Sequence, residues 1–373
     1  LANTYSDIIP KILARGQSIL RARSLLPRIT NRDYDGDAAQ RGSVINVPIA
    51  PSMTVQAVTA AATQPANTDT TFSTTPVALD KHYEVPFHLT DAQRLEVAGS
   101  AEQMAVDAAA AKLAGYIDST IMTALDVGGS IATGTAATTP FATLALALDP
   151  LQYLDTHLVD SSSRHVVMSP RANMNLMGLT GFTSRDYQGD ISIMTNGVWN
   201  GNQVAGAAWW MSQNCPSHTA GTGASYLVNN GSGLVVGATT VAADTGSGTI
   251  LAGDVVSFAG DTTNKYVVAT ALSGGSFTIA SPGIKVAIAD NAAITVSATH
   301  TANFAFQRDA IVFASRKFLP SAAAIAMDQV TDPMTGLTLR VEVTRQHRQD
   351  KWALDALWGT KVIRSEGVIK VMG

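Results

Sequence analysis

The sequence predicts an α+β protein with a small all-β domain inserted into its second half. Three observations carry that expectation. Apolar residues recur at helical spacing at Val106, Ala110, Leu113, Ile117, Ile121 and Leu125, with Asp107 and Asp118 off the stripe, so a long amphipathic helix runs here. Alternation runs through Val77, Leu79, Lys81, Tyr83, Val85 and Phe87, and again through Leu337, Leu339, Val341 and Val343, which is the period of half-buried strands. Between 218 and 302, short apolar runs are separated by Gly and Asn, as in a small antiparallel barrel or sandwich.

The elements follow in order. Residues 1–41 form an N-terminal arm in which Lys11, Arg15, Arg21, Arg23, Arg28 and Arg32 stand against Asp7 in its first part. Ile8, Ile12, Ile19, Leu20 and Leu26 are spaced as a short helix, followed by an irregular strand leading into Asn31-Arg32-Asp33-Tyr34. Two readings of the basic face stand side by side: a solvated surface, or an arm lying across a neighbour or near nucleic acid. Residues 42–90 read as a long β excursion with legs at 44–49 and 77–89, and Asp69 is the single charge in 50–76. A two-stranded ribbon is marginal alone in water, and a weakly charged edge invites pairing. The excursion therefore needs a surface to lie on, with a loop packed within the monomer as the alternative.

Residues 91–130 are the helical region. Thr90-Asp91-Ala92-Gln93 and Ser100-Ala101-Glu102-Gln103 both have the spacing of a capping box. This predicts a short helix, a break at Gly99-Ser100, and a long helix of about 25 residues, roughly 37 Å, ended by Gly128-Gly129. Mixed α/β texture covers 131–217: a helix over 143–158 restarted at Asp149-Pro150, a strand at 164–170, a helix at 171–179, and a strand at 204–213 whose Trp209-Trp210 pair is core packing. Strands of the insert are expected at 226–228, 233–237, 253–259, 265–270, 276–280 and 293–298. The mixed texture returns over 303–329. A hairpin of 336–345 with 351–363, then a strand at 368–372, closes the chain.

Composition limits the function. Charged residues make up 14% of the 373, against roughly 25% in ordinary soluble domains. None lies between Asp126 and Asp149, or between Asp190 and Asp244. A polar but uncharged surface fits a chain largely covered by neighbouring subunits, since interface cores are depleted in charge. The net charge of −4 argues against a surface that binds nucleic acid all over. Cys215 is alone, which excludes an intrachain disulfide. No secretory signal and no membrane span is expected. Nucleophile-elbow, zinc-protease and phosphate-loop motifs are all missing, and the seven histidines are scattered. Asp33, Asp35 and Asp37 read as a solvated turn, because they lack the Gly and Glu of a calcium loop. The expectation is a structural protein, not an enzyme, with no cofactor.

The order of parts, with the segments GSVINVPI at 42–49, VVMSPRANMNLM at 166–177, LAGDVVSFAG at 251–260, AFQRDAIVFASRKFLP at 305–320 and W-x-L-D-x-L-x-G-x-K-V-I-R at 352–364, resembles the major capsid (coat) protein of tailed bacteriophages, the branch with an inserted β domain. Shorter matching words stand at 2–4 and 31–34. The resemblance implies an N-terminal arm (1–41), an extended β loop over the adjacent subunit (42–90), the spine helix of a peripheral domain (91–130), an axial domain (131–217 and 303–329), the insert (218–302) and a peripheral C-terminal sheet (330–373). It implies self-assembly into hexamers and pentamers of an icosahedral shell, a scaffolding protein and a portal complex as partners, and packaged double-stranded DNA held non-specifically, with no membrane. The chain would be made in the host cytoplasm and end in the virion capsid. Candidate subunit-contact residues are Arg15, Arg21 and Arg23 in the arm, and Val55, Phe72, Lys81 and Tyr83 in the loop. Alternatives are an encapsulin-like compartment and a secreted surface-layer or adhesin protein.

Overall fold

The structure is a computed structural model that describes residues 5–34, 44–49, 53, 55, 72–90, 100–183, 197–319 and 324–373. The expected short helix before Gly99, most of the excursion between its legs, and Asp35 and Asp37 lie outside the described residues. Helix α1 (Tyr5–Arg23) is longer than the short helix expected, because Ile9, Ile12, Leu13 and Leu20 all bury on one face. A helical turn, α2 (Leu26–Ile29), replaces the expected irregular strand, and Pro27 suits its first turn. Its N-cap residue Leu25 has no side chain that can cap. Asp118 does so from a distant helix, accepting the backbone N–H groups of Leu25 and Leu26 at 3.0 and 3.2 Å and the Ser24 hydroxyl at 3.2 Å.

Strands β1 (Val44–Ile49) and β2 (Ser73–Ala78) form an antiparallel ribbon in the register Val44↔Ala78 to Ile49↔Ser73. Strand β3 (Lys81–Thr90) follows, but the single strand expected over 77–89 is broken at Leu79-Asp80. The break has a physical cause: β2 pairs with β1, whereas β3 pairs with a C-terminal strand. One long strand cannot follow both partners.

Helix α3 (Ser100–Gly128) is the spine, 29 residues and about 43 Å long. All six residues of the expected stripe are buried. Strand β4 (Ile131–Gly134) then leads to α4 (Leu144–Thr156), whose N-cap Thr143 accepts the Leu146 N–H. Pro150 sits inside one continuous helix instead of restarting it; Ala147, Leu151 and Leu154 pack around it and offset the lost hydrogen bond. Next come β5 (Arg164–Met168), α5 (Pro170–Met177), the short α6 (Thr180–Thr183), β6 (Asn200–Val204), β7 (Ala207–Met211) and β8 (Ser217–His218). Trp209 and Trp210 belong to packing on opposite faces of this sheet, as alternation requires.

Strands β9 (Tyr226–Val228), β10 (Thr240–Asp244), β11 (Val255–Phe258), β12 (Asp261–Ser273), β13 (Ser276–Ile279) and β14 (Ala293–Val296) close into an antiparallel barrel in the order β9-β10-β13-β12-β11-β14 and back to β9. The strand expected at 233–237 is not formed; Leu234 makes a lone bridge to Ile288. Gly233 and Gly237, at φ +70° and +85°, turn the chain on both sides, leaving Val235 and Val236 exposed. The missed strand is β10, whose Thr-Val-Ala-Ala-Asp is a weak apolar signal.

The chain returns through β15 (His300–Gln307), β16 (Ile311–Arg316), β17 (Ala326–Thr331), β18 (Thr338–Gln346), β19 (Gln349–Val362) and β20 (Val368–Met372). A five-stranded sheet has the order β16-β19-β18-β17, with β3 on the other edge of β19. The expected hairpin is therefore correct, but the strands assigned to different blocks are exchanged. Strands β16 and β17 belong with 336–363, and β20 leaves that sheet to lie between β4 and β15 in the larger one. Helix α3 lies between the two sheets, and α1 covers its outer side together with β17 and β18.

Two outcomes test this packing. A Cβ at Gly359 would lie 2.2 Å from the Ala78 carbonyl oxygen, so Gly359→Ala is expected to destabilise the chain by about 1–3 kcal/mol in chemical denaturation. Burial pushes the Asp118 carboxyl up to about 6, against its backbone hydrogen bonds to Leu25 and Leu26. Because its folded value lies above the unfolded one, the folded state holds the extra proton and stability falls as pH rises from about 4 to about 6. Asp118→Asn should remove this component from the pH dependence of unfolding; an unchanged slope would contradict the assignment.

Candidate assembly surface

Among the described residues, the ribbon is buried at its root. Ile45, Val47, Val77 and Leu79 bury against Val312 and Ala314 of β16. Beyond that base, Met53, Val55 and Phe72 are 73%, 97% and 78% exposed. Large apolar side chains exposed beside a ribbon that buries one face at its root present a contact surface. Lys361 steadies the root by donating to the Pro76 carbonyl at 3.0 Å.

Where β3 meets the spine, a groove of 430 Å³ is lined by Lys81, Tyr83, Tyr116, Ser119, Thr120, Thr123 and Thr360, among others. Tyr83 packs on Tyr116 and Trp358, at ring separations of 4.6 and 5.6 Å. Lys81 pairs with its neighbour Asp80 at 3.0 Å. Two of the loop candidates thus share one groove, while Val55 and Phe72 stand beyond it.

The arm candidates behave differently. Arg15 pairs with Asp107 of α3 and Arg21 with Asp332, both at 2.5 Å. The Arg15 guanidinium holds the Asp107 carboxyl below its usual range. Asp332 is likewise held low: burial pushes it up, and Arg21 and Thr335 outweigh that. These two arginines clip the arm to its own chain. Arg23 instead lies at a cleft of 540 Å³, lined also by Asp118, Gln213 and Asn214. The arm's exposed ridge keeps Lys11, Arg23 and Arg28 at the surface.

Among the described residues no group of three His, Cys, Asp or Glu is placed to hold a metal ion, and no helix is long and apolar enough to cross a membrane. The Cys215 thiol is pushed up to about 12 by burial, so it is not a ready nucleophile. What the sequence reading missed is buried charge: Asp118 beneath the arm, and Asp126, His218, Asp254 and Lys370 at the barrel's root. Signals existed. A lone Lys stands in the apolar run Val-Ile-Lys-Val-Met, and Asp126 sits in the last turn of a helix, where the dipole disfavours an anion.

No family model matches the chain, and no curated protein matches it in sequence. Solved structures do. One, described as Mycobacterium phage Che8, superposes with a TM-score of 0.56 at 19% identity, covering 93% of this chain and 90% of its own. Another, the capsid structure of the cyanophage P-SCSP1u, superposes with a TM-score of 0.51 at 12% identity, covering 94% and 88%. Across nearly its whole length, the chain has an α+β, phage-capsid-like fold.

Proposed function

We propose that this chain is a shell-forming subunit, the major capsid protein of a tailed phage of the branch with an inserted β domain. Its role is structural and not catalytic. The observation that carries the reading is the ribbon: one face cored at its root, with Val55 and Phe72 exposed nearby in sequence. Such apolar surface is stabilised when it lies on another copy, and its burial contributes about 25 cal/mol per Å² of apolar area. The capsid-like fold supports the same reading. In this scheme, subunits add as hexamers and pentamers of an icosahedral shell around double-stranded DNA. A scaffolding protein and a portal complex direct closure, and the exposed cations of the arm face scaffold or DNA. Modest contacts suffice, because each subunit makes several at once.

The test is electron microscopy of the expressed protein, alone and with co-expressed partner proteins. Closed shells are expected, and a persistent monomer under both conditions would sink the reading. Val55→Asp with Phe72→Asp sharpens it. Both positions are exposed, so unfolding stability should change by no more than about 0.5 kcal/mol, while shell yield falls at least roughly tenfold, as expected if a desolvated interface residue is lost.

A further inference from the structure

The barrel meets the rest of the chain at a junction of buried charge. Helix α3 contributes Asp126, β8 His218, the turn before β11 Gly253 and Asp254, β15 His300, and β20 Lys370; all four charged or chargeable partners of His218 are buried. His218 Nδ1 lies 2.7 Å from Asp126 Oδ2, and its Nε2 lies 2.9 Å from Asp254 Oδ1. A neutral imidazole has one N–H and can donate to one of them; only the imidazolium donates to both. Lys370 Nζ donates to the Gly253 carbonyl at 2.9 Å and sits 2.6 Å from Asp126 Oδ1. Asp254 also accepts the backbone N–H groups of Gly221 and Leu251, at 3.0 and 2.7 Å. Two cations therefore face two carboxylates, and the cluster is neutral only while His218 keeps its proton. Gly253, at φ +89°, leaves no room for a side chain: a Cβ would lie 2.8 Å from His218 Cε1 and 3.2 Å from Asp126 Oδ2.

The proton belongs on His218 and not on its neighbour. His300 is its register partner, with ring centroids 5.4 Å apart. Burial, with Lys370 close by, pushes His300 down to about 4. Burial also works against charge on His218, but its hydrogen bonds to Asp126 and Asp254 win and raise it. Asp126, which burial alone would raise, is held low by His218 and Lys370. Burial lowers Lys370, and Asp126 counters it.

We propose that this cluster is a proton-operated fastener: with His218 protonated it clamps the barrel's root to the spine helix and the C-terminal strand, and loss of that proton frees the root while the barrel stays folded. The barrel's interior is filled by its own side chains, among them Val228, Val256, Phe258, Val268 and Phe277, so it does not need the cluster to hold its shape. The sign follows from the raised histidine: the clamp is fully present below the ordinary value of 6.5 and weakens as pH rises through the folded one. A buried cluster left with one excess negative charge is costly, which drives the opening. The inference rests on the chain alone and does not depend on the shell reading.

Hydrogen-exchange mass spectrometry on the full chain tests it. Peptides over 217–221, 251–254 and 299–301 should open about tenfold or more faster at about pH 9 than at about pH 6, after correction for intrinsic exchange, while β18 and β19 stay unchanged. Exchange at the imidazole C2–H of His218, read on the same wild-type protein, should titrate with the same midpoint. His218→Gln should open the root at both pH values and abolish the step. Flat root protection across this range, midpoints more than about one pH unit apart, or a step that survives in His218→Gln would each overturn the proposal. The first two readouts need no variant to fold.

Discussion

The apolar stripe of α3 runs between two sheets and has to be covered along its whole length, and no segment adjacent in sequence can do this. Val106, Leu113, Ile117, Ile121 and Leu125 each contribute about 1.5–3 kcal/mol when fully buried. Their cover comes from α1 at the start of the chain, from β18 and β19 near its end, and from Phe304 and Phe306 of β15. The helix thus fixes the relative positions of elements up to the full chain length apart. The arm, the five-stranded sheet and the large sheet are consequences of one buried face needing three partners.

Two appendages are added to this centre. The ribbon grows from β3, the edge strand beside the helix, and turns away where Leu79 buries against β16. The barrel grows from the larger sheet near the helix's C-terminal end, where Asp126 follows the last residue of the stripe and β12 pairs with β4 through Lys265↔Ala132 and Tyr266↔Ile131. Neither appendage contributes to the core around the stripe. Each has its own apolar filling, which is why an extension and an insertion can be carried without disturbing the spine.

Legibility in the sequence follows the range of the interaction. The stripe of α3, the alternation of β18 and most strands of the barrel were readable because burial there is periodic and local. The break at Leu79-Asp80 was not, since it reflects two different pairing partners and not a change in the residues themselves. The exchange of β20 and β16 between sheets is likewise a matter of topology; β20 read correctly as a strand, whereas β16 lay in a stretch read only as mixed texture. Among the contact candidates, Lys81 and Tyr83 share a groove because neighbours on one strand face stay together, whereas Arg15 and Arg21 are tied to carboxylates 92 and 311 residues away. No spacing rule reveals such pairs.

The scarcity of charge acquires a sharper meaning from this arrangement. Part of the little charge present is turned inward. Arg340 pairs with Asp355 and Glu342 while lying 4.1 Å from the Phe318 ring centroid, and His82 reaches the same Asp355 at 3.0 Å. Lys370 and Asp254 are wholly buried. Replacing such pairs by apolar residues is often neutral or stabilising, so their presence is poor evidence for stability as such. They do something a hydrophobic contact does less well: they admit one geometry, because a misplaced buried charge is left uncompensated. Inward charge sets how arm, sheet and barrel sit on the spine.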